Sequence, residues 1–157
     1  MANLNVREPG DFTYEDLVSG LKEGRFKKIL IMSGAGISVS AGIPDFRSPG
    51  TGLYSQLEEY NLPQPEAIFE LGFFKEKPEA FYRFAQNFDL SAHNATPTHY
   101  FIKMLQDKGL LWRCMTQNID NLEEKTGMDM AGVVQCHGAN RGASCSGCRK
   151  VHDKEEL

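Results

Sequence analysis

Three short apolar runs, KKILIMS, LLWRCMTQN and GVVQCHG, constrain this chain more than any other feature. Continuous apolar character over so few residues suits strands of a parallel sheet covered on both faces. Each run leads into a polar cluster: GAGIS, TQNID and CHG. Helical patterns lie between the runs, so strand and helix alternate, which predicts an α/β fold with a parallel sheet. In such sheets ligands bind beyond the carboxyl ends of the strands, and all three polar clusters fall at such ends.

The helical segments carry their own punctuation. Thr13, followed three residues later by Asp16 and then by Leu17, Val18 and Leu21, predicts a capped amphipathic helix that stops near Gly24. Prolines and glycines crowd between Pro44 and Pro65, predicting a long loop there. PEAIFE and KPEAFYRFAQNF, with Pro65 and Pro78 at helix-start positions, predict short helices of a helical insert. In ATPTHYFIKMLQDKG, Thr96 is the expected N-cap, Pro97 the first helical residue and Gly109 the stop, with Tyr100, Phe101, Met104 and Leu105 as the expected buried stripe.

A chain of 157 residues fits one ordinary domain. A formal charge of -4 offers no basic footprint for nucleic acid, and no apolar run approaches the roughly 20 residues of a membrane-spanning helix. The first twenty residues hold Arg7, Glu8, Asp11, Glu15 and Asp16, unlike a signal or transit peptide. Cys114, Cys136, Cys145 and Cys148 crowd into the last third, which favours metal, catalysis or burial over a disulfide framework.

Each polar cluster has a chemical and a plain reading. Gly34 and Gly36 let backbone approach a phosphate, yet Val39 stands where the dinucleotide fingerprint has its third glycine, and a tight turn would also use them. Asp45, Phe46 and Arg47, stiffened by Pro44, suit a flat charged ligand or a surface turn with an anchoring ring. Gln117, Asn118 and Asp120 end a hydrophobic strand, as site residues or as a helix cap. His137, at the third strand end, is either structural or a general base. The two-residue gap between Cys145 and Cys148 gives half of a tetrahedral zinc site, with the other two ligands expected beyond Leu157.

In order, GAGISVSAGIPDFRS, PTHYF, TQNID, HG and C-x-x-C resemble the sirtuins, the NAD-dependent protein lysine deacylases. TGLYSQLEEYNLPQPEAIFE is similar to the acetyl-removing branch. The resemblance implies a Rossmann-like NAD domain with a small zinc module. The chain would hold an incomplete sheet and its helical insert over residues 1–137, and the start of the zinc module over 138–157. Gly34, Ala35, Gly36, Ile37, Ser38 and Val39 would lie against NAD, with Asp45, Phe46 and Arg47 over its nicotinamide end. Gln117, Asn118, Ile119 and Asp120 would contact nicotinamide and its ribose, with Asn118 and His137 catalytic and His137 the general base. Cys145 and Cys148 would hold structural zinc.

The implied reaction transfers acetyl from a lysine of a protein substrate to ADP-ribose and releases nicotinamide. Leu57, near Tyr54 where relatives with acidic acyl preference carry arginine, favours acetyl. The resemblance further implies that the chain is truncated inside the zinc module, ending nine residues after Cys148. Two alternatives stand beside the deacetylase: a non-catalytic fragment that binds nucleotide or protein weakly, and a zinc module built from Cys136, His137, Cys145 and Cys148. The expected compartment is the cytoplasm, with the nucleus as the alternative; no nucleic-acid or membrane partner is expected.

Overall fold

A computed structural model of the chain describes residues 12–57, 60, 62–87, 90, 92–153 and 156. Helix α1 spans Tyr14–Lys22, and its start is fixed by a reciprocal cap. The Asp16 amide donates to Thr13 Oγ1 at 3.2 Å while the Thr13 amide donates to Asp16 Oδ2 at 3.0 Å. Two of the helix's otherwise unpaired amide donors are thereby satisfied. Gly24, at φ 66°, takes the chain out of the helix as the sequence predicts.

Strands β1 (Ile29–Ser33), β2 (Leu111–Thr116) and β3 (Val133–Gln135) form a parallel sheet in the order β1-β2-β3. Ser33 pairs with Thr116 and Thr116 with Gln135, so the three carboxyl ends lie in register. This is the α/β arrangement expected, Rossmann-like in its parallel strands and intervening helices. Between β1 and β2 lie the one-turn helix α2 (Leu53–Gln56), a 3₁₀ segment Pro65–Phe69, and helices α3 (Leu71–Glu76), α4 (Pro78–Asn87) and α5 (Pro97–Asp107). The last residue of the expected KPEAFYRFAQNF helix, Phe88, lies outside the described residues. A short helix α6 (Leu122–Lys125) joins β2 to β3. Strands β4 (Gly142–Ser144) and β5 (Val151–Asp153) form a separate antiparallel pair around the C-x-x-C turn. Among the described residues, no helix is long and apolar enough to cross a membrane.

Two sequence expectations change. Among the described residues the sheet is covered on one face only: Ile31, Cys114 and Val133 pack with Ile102 and Met128, whereas Leu30 and Met32 are 45% and 68% exposed. Alternation explains the split, because successive side chains point to opposite faces and α5 lies on one of them. The apolar run describes composition, and composition alone does not say that both sides are covered. In α5 the buried stripe is His99, Ile102 and Leu105, while Tyr100, Phe101 and Met104 face outward. The His99 ring accepts the Thr96 amide at 3.2 Å, and Ile102, on the same stripe, packs against Cys114 and Met128 under the sheet.

The core has three centres. One lies under the sheet around Ile102, Cys114 and Met128. A second joins Ile43 and Leu90 to Leu122. The third, Leu53, Leu57, Ile68 and Phe84, holds the helical insert together.

Candidate functional site

The site begins where the strands stop. The Gln117 amide donates to Ser33 O at 3.0 Å, and the Cys136 amide to Thr116 O at 2.9 Å, carrying the sheet ladder one step past the strands. The segments after the strands are therefore held side by side. After β1 the chain makes two 3₁₀ turns, Ala35–Ile37 and Val39–Ala41, instead of a long helix. Gly42, at φ 94°, closes the second turn before Pro44.

Between those turns sits Ser38, fully buried. Its hydroxyl donates to Asp120 Oδ2 at 2.7 Å. Asn118 Nδ2 reaches both Ser38 Oγ at 3.2 Å and Gly34 O at 3.1 Å. Asp120 Oδ1 accepts the Leu122 amide at 3.0 Å, so one carboxylate ties the glycine loop to the start of α6. The structure thus gathers Gly34, Ser38, Asn118 and Asp120 into one polar network. Of the neighbouring residues, Ile37 turns into the core beneath the sheet, while Val39 and Ile119 are exposed.

His137 joins this edge through Gln117. Its Nδ1 lies 2.9 Å from Gln117 O, and a carbonyl can only accept, so Nδ1 carries the proton and Nε2 keeps a free lone pair. The ring is exposed, and Gly138 at φ 81° turns the chain away beside it. The segment beyond returns to the site, because the Asn140 amide donates to Ile119 O at 3.2 Å and Asn121 Nδ2 to Asn140 O at 3.1 Å. Arg141 pairs with Glu124.

The Asp45 carboxylate folds back on its own loop. It accepts the Ser48 hydroxyl at 2.5 Å, the Ser48 amide at 2.8 Å and the Arg47 amide at 3.2 Å. These bonds, the Ser48 hydroxyl first, hold its pKa below the ordinary carboxylate value despite some desolvation. Backbone bonds from Leu53 to Asp45 O and from Tyr54 to Phe46 O complete the loop. Phe46 remains 43% exposed, touching Tyr54 and Phe69 edge-on or tilted at centroid distances of 5.7 and 6.0 Å. Ile43, which starts the loop, packs against Leu122, two residues from Asp120.

At the β4–β5 turn, the Cys148 amide and then the Gly147 amide point at the Cys145 sulfur, with help from the Cys148 thiol and the Arg149 amide. Together they lower the Cys145 pKa, favouring the thiolate that a metal needs. Among the described residues, Cys136 and His137 do not cluster with this pair; the one group of three metal-ligating side chains is His99, Asp120 and Glu123. His99 and Glu123 were missed by the sequence reading. Their signals were a histidine three residues after the Thr96 cap, where a carboxylate or amide usually returns the bond, and a glutamate on the inner side of a polar helix.

The family model described as "Sir2 family" matches residues 34–157. The chain is 47% identical over 154 residues to NAD-dependent protein deacetylase sirtuin-2 of Danio rerio, covering 94% of this chain and 41% of that protein. It is 45% identical over 141 residues to NAD-dependent protein deacetylase hst2 of Schizosaccharomyces pombe, covering 90% and 42%. To NAD-dependent protein deacetylase sirtuin-3 of Mus musculus it is 44% identical over 146 residues, covering 93% and 44%. The chain spans less than half the length of these relatives. By the extent of the family match and the order of its motifs, the chain belongs to the Sir2 family.

Proposed function

We propose that this chain forms the nicotinamide-side half of an NAD-dependent protein lysine deacetylase acting on acetyl-lysine. The observation that carries the reading is the convergence of Gly34, Ser38, Asn118 and Asp120 at one sheet end, beside a histidine whose Nε2 is free to take a proton. The fit to a dinucleotide rests on the glycine loop. At Gly34 and Gly36 a Cβ would meet no atom of the described residues beyond its chain neighbours within 4 Å, and neither residue needs a left-handed backbone. The fold makes no use of glycine there, so the cleared space suits a ligand that lies against the backbone.

NAD, when bound, would supply the ribose carbon that bonds the acyl oxygen as nicotinamide leaves, and the ribose hydroxyl to which the acyl group passes. The chain's part is to orient and to move protons. Ala35 to Val39 would line the dinucleotide, with Phe46 and Arg47 covering its reactive end and excluding water. Gln117, Asn118, Ile119 and Asp120 would face the nicotinamide and its ribose. His137 Nε2 would accept a proton from a ribose hydroxyl, its ring orientation and tautomer held by Gln117 O.

Cys145 and Cys148 would hold a zinc ion as two of four ligands, and the lowered Cys145 pKa supports that reading. Such a site is structural, and no chemistry is assigned to it. Residues 138–157 then form the beginning of a zinc module, and residues 1–137 the nucleotide-binding portion. A cytoplasmic or nuclear setting would keep Cys145 and Cys148 reduced for this role.

The test is turnover of an acetyl-lysine peptide by the purified protein, followed by nicotinamide release. Activity that requires NAD and falls by about a hundredfold or more in His137→Ala supports the reading. A folded protein that binds neither NAD nor acetyl-lysine peptide, or whose turnover survives His137→Ala, refutes it.

A further inference from the structure

Behind the site lies a buried group of side chains that the chemistry above does not use. His99 and Glu123 are each 1% exposed, and Asp120 is 7% exposed. A ring nitrogen of His99 and one carboxylate oxygen from each of Asp120 and Glu123 lie within 4.8 Å of one another. Asp120 is served by the Ser38 hydroxyl and the Leu122 amide. Glu123 is not: neither of its carboxylate oxygens has a hydrogen-bond partner among the described residues, and His99 Nε2 has none either. A buried carboxylate in that condition is costly, and a second carboxylate beside it adds repulsion, so the group calls for a positive charge.

His99 does not supply that charge. Burial lowers its pKa even against the attraction of Glu123 and Asp120, which keeps the ring neutral near pH 7. A neutral imidazole is instead a metal ligand. Its Nδ1 is occupied by Thr96, whose hydroxyl oxygen lies at 2.7 Å and whose amide lies at 3.2 Å. The hydroxyl gives its own proton to Ile37 O at 2.8 Å, so its lone pairs are free to accept from Nδ1–H. In that tautomer the ring gives up the longer amide contact, and Nε2 presents a lone pair. A histidine that binds a metal ordinarily donates its other ring N–H to an oxygen, and Thr96 Oγ1 stands ready as that oxygen.

We propose that His99 Nε2 and the carboxylates of Glu123 and Asp120 form a binding site for one divalent transition-metal ion, distinct from the Cys145–Cys148 turn. The charges of two carboxylates and a neutral ring are cancelled by a dication. Each ligand has an electron pair to give: Glu123 on either oxygen, and Asp120 on an oxygen that accepts a single hydrogen bond. One ring nitrogen among oxygens suits Mn²⁺, Fe²⁺ or Zn²⁺ better than Mg²⁺ or Ca²⁺, which favour oxygen alone. Metal–ligand bonds of about 2.0 to 2.2 Å put ligand atoms no more than about 4.4 Å apart, so the group encloses an ion after a small contraction. Its ligands stand on firm supports. His99 lies in the first turn of α5 and Glu123 in the first turn of α6, next to Leu122, which is fully buried. An ion held there ties α5 to α6 and, through the Asp120 bond to Ser38, to the glycine loop.

The site stands or falls without reference to turnover, so its failure and that of the deacetylase reading are separate results. The whole chain, stripped of metal with a chelator, is titrated with Mn²⁺, a probe that oxygen ligands hold and thiolates do not select. Saturable uptake of one ion per chain is expected, with the thermal midpoint rising as the ion is added. Mn²⁺ is paramagnetic, so in protein labelled with ¹⁵N at histidine the His99 ring should broaden before those of His93, His137 and His152. Glu123→Gln, nearly the same shape, should weaken uptake by at least the roughly 10- to 100-fold that loss of even an outer partner costs. No saturable uptake, broadening centred on another histidine, or a folded Glu123→Gln protein that binds as tightly as the unmodified one overturns the proposal. The broadening is read in the unmodified protein, so misfolding of the variant leaves that measurement decisive.

Discussion

Ser38→Ala isolates the junction between the glycine loop and the β2–α6 turn. The change removes one oxygen from a fully buried side chain and leaves almost no cavity, so its cost is nearly all hydrogen bonding. The bond lost to the Asp120 carboxylate, at 2.7 Å, is charge-assisted and contributes about 1.5 to 3 kcal/mol. Asn118 Nδ2 loses one of its two acceptors and retains Gly34 O, adding about 0.5 to 1 kcal/mol. The expected destabilisation is about 2 to 4 kcal/mol, a large share of an ordinary domain's stability. Urea unfolding followed by fluorescence of the single tryptophan, Trp112 on β2, measures it. The variant should unfold at lower urea with an unchanged slope. Ser38→Ala and Asp120→Ala should be strongly non-additive, since each removes the same bond. A loss below about 0.5 kcal/mol, or simple additivity, would refute the view that this bond joins the two segments.

Leu105→Ala should destabilise the protein by about 2 to 5 kcal/mol, whereas Met104→Ala, one residue away and outward-facing, should cost under about 1 kcal/mol; denaturation midpoints would show the contrast. Gly52→Ala would put a Cβ 2.7 Å from Ser48 N and 2.8 Å from Ser48 O, both backbone atoms, so the 45–54 loop must shift. Faster protease cleavage within that loop, with the sheet amides still protected from exchange, is the expected result. For Asp45 the lowered pKa means that its bonds to Ser48 stabilise the folded loop fully above the ordinary carboxylate pKa of about 3.9. That stabilisation fades as the pH falls through the lower folded-state pKa, so the protection of the Ser48 amide against exchange should persist through the ordinary carboxylate range and be lost only below it, and Asp45→Asn should abolish the dependence.

The punctuation of the chain was legible because it is local. Thr13 with Asp16, Pro97 after Thr96, and Gly24 write their conformations into neighbouring residues, and the structure uses them so. The placement of the polar clusters at strand ends was legible for a similar reason, since a parallel sheet aligns those ends. What could not be read was orientation. Tyr100, Phe101 and Met104 look as suitable for burial as Ile102, and only packing against the distant Cys114 and Met128 shows which stripe turns inward. Leu30 and Met32 likewise look like core residues until the sheet's open face is seen. Asp45 offered a carboxylate in a candidate ligand loop, yet three donors within three residues engage it. His99 and Glu123 gave little signal, because the burial of a polar side chain is decided by contacts across the fold.

The partners in the Ser38 network are far apart along the chain: 82 residues separate Ser38 from Asp120, and 84 separate Gly34 from Asn118. Closing loops of that length is slow and comes late, after the helices and short-range turns have formed. A nascent or partly unfolded chain therefore has no rudimentary version of this site; the site exists only once β1 and β2 have met. A small molecule that recognises it samples finished molecules alone and, at a hundred times its dissociation constant, adds about 2.7 kcal/mol to their stability. On the proposed nucleotide-binding reading, nucleotide supply would then set how much of this folded protein is present.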